Sequence, residues 1–194
     1  MGANNSSYVT TGKPKVGGAA YKAPLSTQLP SDATTALANT FINQGYISEA
    51  GLTNTIAIDS ETIKAWGGGV VDTMETGKED SFKFTLIESI NPDVQKTVHG
   101  ESAVTGTPDG TTGMKVSVGT AQHDAFVWAF DMVLKGGILK RVVIPKGRVR
   151  EIGAITYKDN EAVGYEITLS CELDSTGNSH YEYFKTPAAS GGST

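Results

Sequence analysis

The chain has 194 residues, with 16 Lys and Arg against 21 Asp and Glu for a formal net charge of -5. That length holds one domain with a substantial core rather than two, and the acidic balance disfavours nucleic acid or an anionic membrane as a tight ligand. A single cysteine excludes an internal disulfide, and no apolar stretch approaches the roughly 20 residues that a membrane helix needs. Abundant glycine, with common Thr and Val, fits many strands joined by tight turns better than a helical bundle. The polar start MGANNSS is unlike a signal peptide, so folding in a reducing cytoplasm is expected.

In chain order, residues 1–34 are rich in Gly, Ser, Asn, Thr, Lys and Pro and read as an extended, partly disordered arm, with Ala23-Pro24-Leu25 a candidate contact to a neighbouring subunit. Residues 35–186 form a single β-rich domain, and 187–194 a loose tail. Ser31 or Asp32 is placed to cap a short helical turn in SDATTALAN. Strands are expected at 40–47 and 62–66 with EAGLTN as a loop between them, and GGGVVDTMETGKED reads as a polar segment opened by glycines. In 81–88, Phe82, Phe84 and Leu86 alternate with Lys83, Thr85 and Ile87, the pattern of a half-buried strand.

The helix signal lies in NPDVQKTVHG. Asn91 caps, Pro92 suits the first helical position, Asp93 meets the positive end of the dipole, Gly100 closes the helix, and His99 is a cation for its last turn. Val94 and Val98 share one face, so a helix of about two turns should lie against a sheet. Strands follow at 114–118, through 125–173, and at HYEYFK. Within 125–134, Phe126, Trp128, Phe130, Met132 and Leu134 fall on one face while Val127, Ala129 and Val133 keep the other apolar. One face is expected to form the sandwich core and the other to meet the helix or the next subunit.

No catalytic constellation accompanies these strands, and no catalytic residue, metal ligand or cofactor is expected. Gly67, Gly68 and Gly69 lack the Lys-Ser or Lys-Thr and the helix start of a phosphate loop, which leaves a hairpin or bulge. His99, His123 and His180 lie far apart without metal-ligand spacing. Cys171 alternates with Leu169 and Ile167 as a small inward hydrophobe. The carboxylates Asp72, Glu75, Glu79, Asp80, Glu151 and Asp159 occupy turns or polar strand faces. Lys140, Arg141, Lys146, Arg148 and Arg150 crowd two strand segments around the Ile-Pro-Lys-Gly turn. This basic ridge lacks the interleaved aromatics of a nucleic-acid site and reads as a patch for acidic groups on an adjacent subunit.

Several segments in one order, FINQGYISEAGLT, IKAWGGG, EDSFKFTLIESINPDVQKTVHG, FDMVLKGGILKRVVIP and EAVGYEITLSCELDSTGNSHYEYFK, resemble the major tail (tail tube) protein of long-tailed phages with flexible, non-contractile tails. The likeness spans about 23–186. It implies a mainly β fold, a β-sandwich or small barrel with one short flanking helix, whose strands join a closed sheet in a homohexameric ring. It also implies stacking of the rings into a hollow tube around a tape-measure protein, between tail-tip and tail-terminator proteins, through which DNA passes without specific binding. Six subunits lending about four strands each, at about 4.8 Å spacing and tilted near 45°, would close a sheet roughly 50 Å across. A lumen that repels phosphate favours passage, so Asp72, Glu75, Glu79 and Asp80 are expected on the lumen-facing sheet or its rim. The alternative from another class is a carbohydrate- or surface-binding β-sandwich using Trp66, Tyr181 and Tyr183.

Overall fold

The computed structural model describes residues 4–120 and 122–187. Its strands are β1 (Gly12–Pro14), β2 (Ala20–Ala23), β3 (Ile42–Asn43), β4 (Thr53–Lys64), β5 (Val70–Leu86), β6 (Val104–Thr105), β7 (Lys115–Val116), β8 (Ala125–Leu134), β9 (Leu139–Ile152), β10 (Tyr165–Cys171) and β11 (Tyr181–Lys185), with one α-helix, α1 (Pro92–His99). The fold is mainly β. A nine-stranded antiparallel sheet runs β3-β2-β8-β9-β10-β5-β4, with β1 also on β8 and β11 also on β9, while β6 and β7 pair separately. The arm expected over 1–34 thus enters the sheet through β1 and β2, and Ala20 and Ala23 are buried there. The expected C-terminal tail lies, from residue 188, outside the described residues.

Two strands separate β8 from β5 in the sheet, yet their rings touch. Phe84 lies 5.8 Å from Trp128 and 5.2 Å from Phe130, and Phe82 lies 6.2 Å from Phe130. The sheet must therefore curl around these aromatics. It stops short of closing, with an isolated bridge from Ile47 to Leu86 at the mouth. Helix α1 fills this concave side, where Val94 and Val98 are fully buried among Phe82, Trp128, Ile144 and Leu169.

The helix forms where its caps dictate. Asn91 Oδ1 accepts from the Asp93 N–H at 3.0 Å, and the Gly100 N–H returns to the Lys96 carbonyl at 2.8 Å with Gly100 at φ 102°. Its polar side chains fasten its neighbours: Thr97 Oγ1 donates to Gln44 Oε1 just after β3 at 2.7 Å, and Gln95 Nε2 to the Tyr165 hydroxyl at the start of β10 at 2.8 Å. Burial pushes the His99 imidazole below its ordinary value, assisted by the nearby His123, which works against the helix-terminal cation expected from sequence.

Both faces of β8 are covered. The helix and the aromatic core share one face, a correction to the expected division between them. The other face carries Val127 and Ala129 with Val143 of β9, and is covered by the 24–41 segment through Leu29, Leu37 and Phe41 and by Tyr181 and Tyr183. That segment contains no helix. Asp32 instead accepts from the Thr34 and Thr35 N–H groups, each at 2.6 Å, in a bend. Hydrogen bonds led by the Thr35 hydroxyl hold its carboxyl well below the usual range.

The two strands expected around Ile-Pro-Lys-Gly are a single 14-residue strand, β9. Its register against β8 jumps between Phe126 and Trp128, which pair with Gly147 and Ile144. Pro145 therefore sits in a bulge, where its missing N–H costs no ladder bond. Gly147 is required by close approach rather than by conformation: a Cβ there would lie 2.8 Å from Trp128 Cδ1.

Candidate assembly surface

Strand β4 has 12 residues and β5 has 17, and they pair from Thr53 opposite Lys83 to Lys64 opposite Val70. Only Ser81–Leu86 of β5 also pair with β10. Beyond residue 80 the hairpin is a two-stranded ribbon, about 30 Å long at 3.3 Å per residue, that no other described element covers on either face apart from Arg150 reaching Glu79 at its root. Sequence reasoning placed a loop and a short strand here and missed it. The Ala65 N–H donates to the Gly69 carbonyl at 2.8 Å across the tip, with Gly67 and Gly68 at positive φ, so the triple glycine is a hairpin turn. Register shifts after Asp59 and Ile63 place bulges along the ribbon.

Large apolar side chains stand in water along it: Ile56, Ile58, Ile63, Val71 and Met74 are exposed, and Trp66 at the tip is 106% exposed. An isolated two-stranded ribbon is marginal in water, and both its outer edges carry unpaired backbone groups. Exposed apolar surface of this extent is the kind that marks interaction sites in general.

Cross-strand pairing separates the expected acidic segment between two faces. Asp72 (opposite Ile63) and Glu79 (opposite Ala57) share a face with Asp59 and Glu61, whereas Glu75 (opposite Ser60) and Asp80 (opposite Ile56) belong to the other. Asp80 is buried at the ribbon's root, where it accepts from Asn54 Nδ2 at 2.7 Å and Ser179 Oγ at 2.6 Å and also bonds His180 Nδ1. Burial alone would raise its carboxyl, but the hydrogen bonds from Ser179, His180 and Asn54 outweigh that and hold it below its ordinary value. Ser179 meets the carboxylate directly rather than through the imidazole, so these three groups make a structural clamp and not a nucleophile relay.

The basic residues do not form one surface either. Arg141 is buried on the 24–41 side, gripping Asp131 through Nε at 2.6 Å and Nη2 at 2.9 Å. Lys140 pairs with Glu182 at 2.7 Å and lies over the Phe184 ring, Arg148 pairs with Glu172 at 2.8 Å beside Lys146, and Arg150 pairs with Glu79 at 2.8 Å. Each cation already has a carboxylate in its own chain. Cys171 packs at the edge of the aromatic core, and burial first, then the Asp80 charge, pushes its thiol up to about 12, far from a nucleophile's range.

Tyr181 and Tyr183 stack at 6.3 Å against the second core cluster, and the Tyr181 hydroxyl donates to Asp174 at 2.7 Å. Trp66 lies at the far end of the ribbon, so the three aromatics do not form one sugar platform. Among the described residues, no group of His, Cys, Asp and Glu is arranged to hold a metal, and no helix is long and apolar enough to cross a membrane.

The described residues form a curled antiparallel sheet from which a long ribbon stands uncovered. A family model described as phage tail tube protein matches residues 1–189, and the chain belongs to that family. Its role is accordingly structural, as a component of the virion tail. No curated protein matches the chain.

Proposed function

We propose that this chain forms homohexameric rings that stack into the hollow tail tube of a phage with a flexible, non-contractile tail. The tube assembles in the host cytoplasm around a tape-measure protein, between tail-tip and tail-terminator proteins, and DNA leaves the capsid through it. The observation that carries this reading is the bare ribbon: two free strand edges and two uncovered faces are an aggregation hazard in a monomer, and a closed ring pairs edges in a fixed register. Negative-stain microscopy of the concentrated protein tests it, with hollow tubes or six-fold rings expected. A chain that stays monomeric at every concentration, with or without tail-tip protein, would overturn the proposal.

Within that tube, the ribbon face bearing Asp59, Glu61, Asp72 and Glu79 is assigned to the lumen or its rim, because like charge keeps a passing polyanion from sticking. Glu75 opens onto the opposite face, and Asp80 supports the ribbon's root. The cations Lys140, Lys146, Arg148 and Arg150 border the neighbouring subunit, their carboxylate partners available for exchange across the contact. Replacing Asp72 and Glu79 with Lys is expected to leave tubes intact and slow DNA ejection, with a stronger slowing at low salt. Ejection kinetics identical to the parent phage would remove the lumen assignment.

A further inference from the structure

The ribbon carries its most exposed aromatic at one end, and an unfilled apolar groove lies at the other. That groove, of about 380 Å³, runs between β1 and the 47–52 loop and is floored by Ile47, Leu52, Phe130 and Met132 beside Pro14. Its volume lies in the range of sites that take small, largely apolar ligands, which an indole ring matches in size and character. Leu52 directly precedes β4, so the groove sits at the ribbon's root while Trp66 is carried about 40 Å away. The chain's own tip therefore cannot fill its own groove.

We propose that Trp66 of one copy inserts into this root groove of a second copy. The charges around knob and hole are complementary. Lys64 flanks Trp66, and Asp72 follows on the returning strand; Lys13 and Glu49 stand on the groove's rim. None of these side chains has an ion-pair partner among the described residues, so Lys64 can meet Glu49 and Asp72 can meet Lys13 across the contact. Knob and hole are different patches at opposite ends of one extended element. In the tube each copy offers its tip to one neighbour and its groove to another, a heterologous contact that propagates. The step between successive copies is about the distance from groove to tip. The inference rests on the tube reading and supplies the residues by which copies lock in the direction along which the ribbon points.

The test combines assembly with fluorescence of the full-length protein. Of its two tryptophans, Trp128 is buried and Trp66 is open to water, so iodide quenching of the monomer reports Trp66. On assembly, quenching should fall and emission should shift to the blue. Trp66→Ala should fold with an unchanged melting temperature, because the side chain touches little in the monomer, and should raise the critical concentration for assembly on the order of tenfold to a hundredfold, the effect of removing an interface anchor. Lys64→Glu should impair assembly, and adding Glu49→Lys should restore it. Assembly of Trp66→Ala at the parent concentration, or a Trp66 still quenched by iodide within tubes, overturns the contact while leaving the tube reading in place. A parent protein that never assembles counts against both.

Discussion

Joining Ala57 to Glu79 through an Asn-Gly turn is expected to abolish tube formation while leaving the monomer folded and about as stable as before. The two residues are cross-strand partners, so a two-residue turn closes the shortened hairpin in its own register. Everything removed lies beyond the last described contact of β5 with the body, and the aromatic core, helix and Asp80 clamp remain. Removal of exposed segments away from packed features shifts stability little. Assembly is another matter, because the excision deletes most of both free edges, the acidic-face residues Asp59, Glu61 and Asp72, and Trp66 together. Thermal unfolding and negative-stain microscopy of the same sample give the two readings. Tubes of ordinary appearance from the shortened chain would show that the ribbon is not the assembly element.

Asp131→Ala should cost about 3–5 kcal/mol, the range for removing one member of a buried ion pair. Arg141 is 1% exposed, and its Nη1 donates to the Asp32 and Thr35 carbonyls at 3.0 and 2.8 Å. Without Asp131, the guanidinium keeps its desolvation penalty and loses its counter-charge, and the 24–41 segment loses a rigid anchor. Against a net stability of about 5–15 kcal/mol for a typical domain, that is a severe loss. Arg141→Lys should not substitute, since a single ammonium cannot grip the carboxylate through two nitrogens and reach both carbonyls. Urea unfolding measures the cost, and hydrogen exchange across 32–41 should report loosening there first. A penalty below about 1 kcal/mol, the range of a solvent-exposed pair, would mean that water already screens this ion pair in solution.

Much of the body was legible in local pattern. The alternation of Phe82, Phe84 and Leu86 specified a half-buried strand, and the double-faced apolar pattern of β8 specified a strand covered on both sides. The caps of α1 named its ends because Asn91, Pro92 and Gly100 each act on the backbone within a turn of themselves. The ribbon was not legible in the same way. Thr, Asp, Glu and Lys on both strands give no one-sided apolar period, since neither face is buried in the chain by itself. The signal that would have found it is the symmetry of the strand-like runs TIAI and VVDTM about WGGG, which marks a hairpin tip.

Charge was the least readable property. Arg141 looked in sequence like its neighbours Lys140 and Lys146, but strand alternation turns it to the opposite face from Lys140, beneath the 24–41 segment. The acidic run divided for the same reason, compounded by a bulge that no composition announces. By itself, then, the amino-acid sequence determined the β-rich class, the helix and its limits, the apolar faces and the family resemblance, all of which depend on neighbours within a few residues or on the order of segments. Only the tertiary structure decided which charges are surface and which are core, and that a ribbon about 30 Å long stands free. Those outcomes depend on register and on what lies across the sheet, and a shift of one residue moves a side chain to the other face.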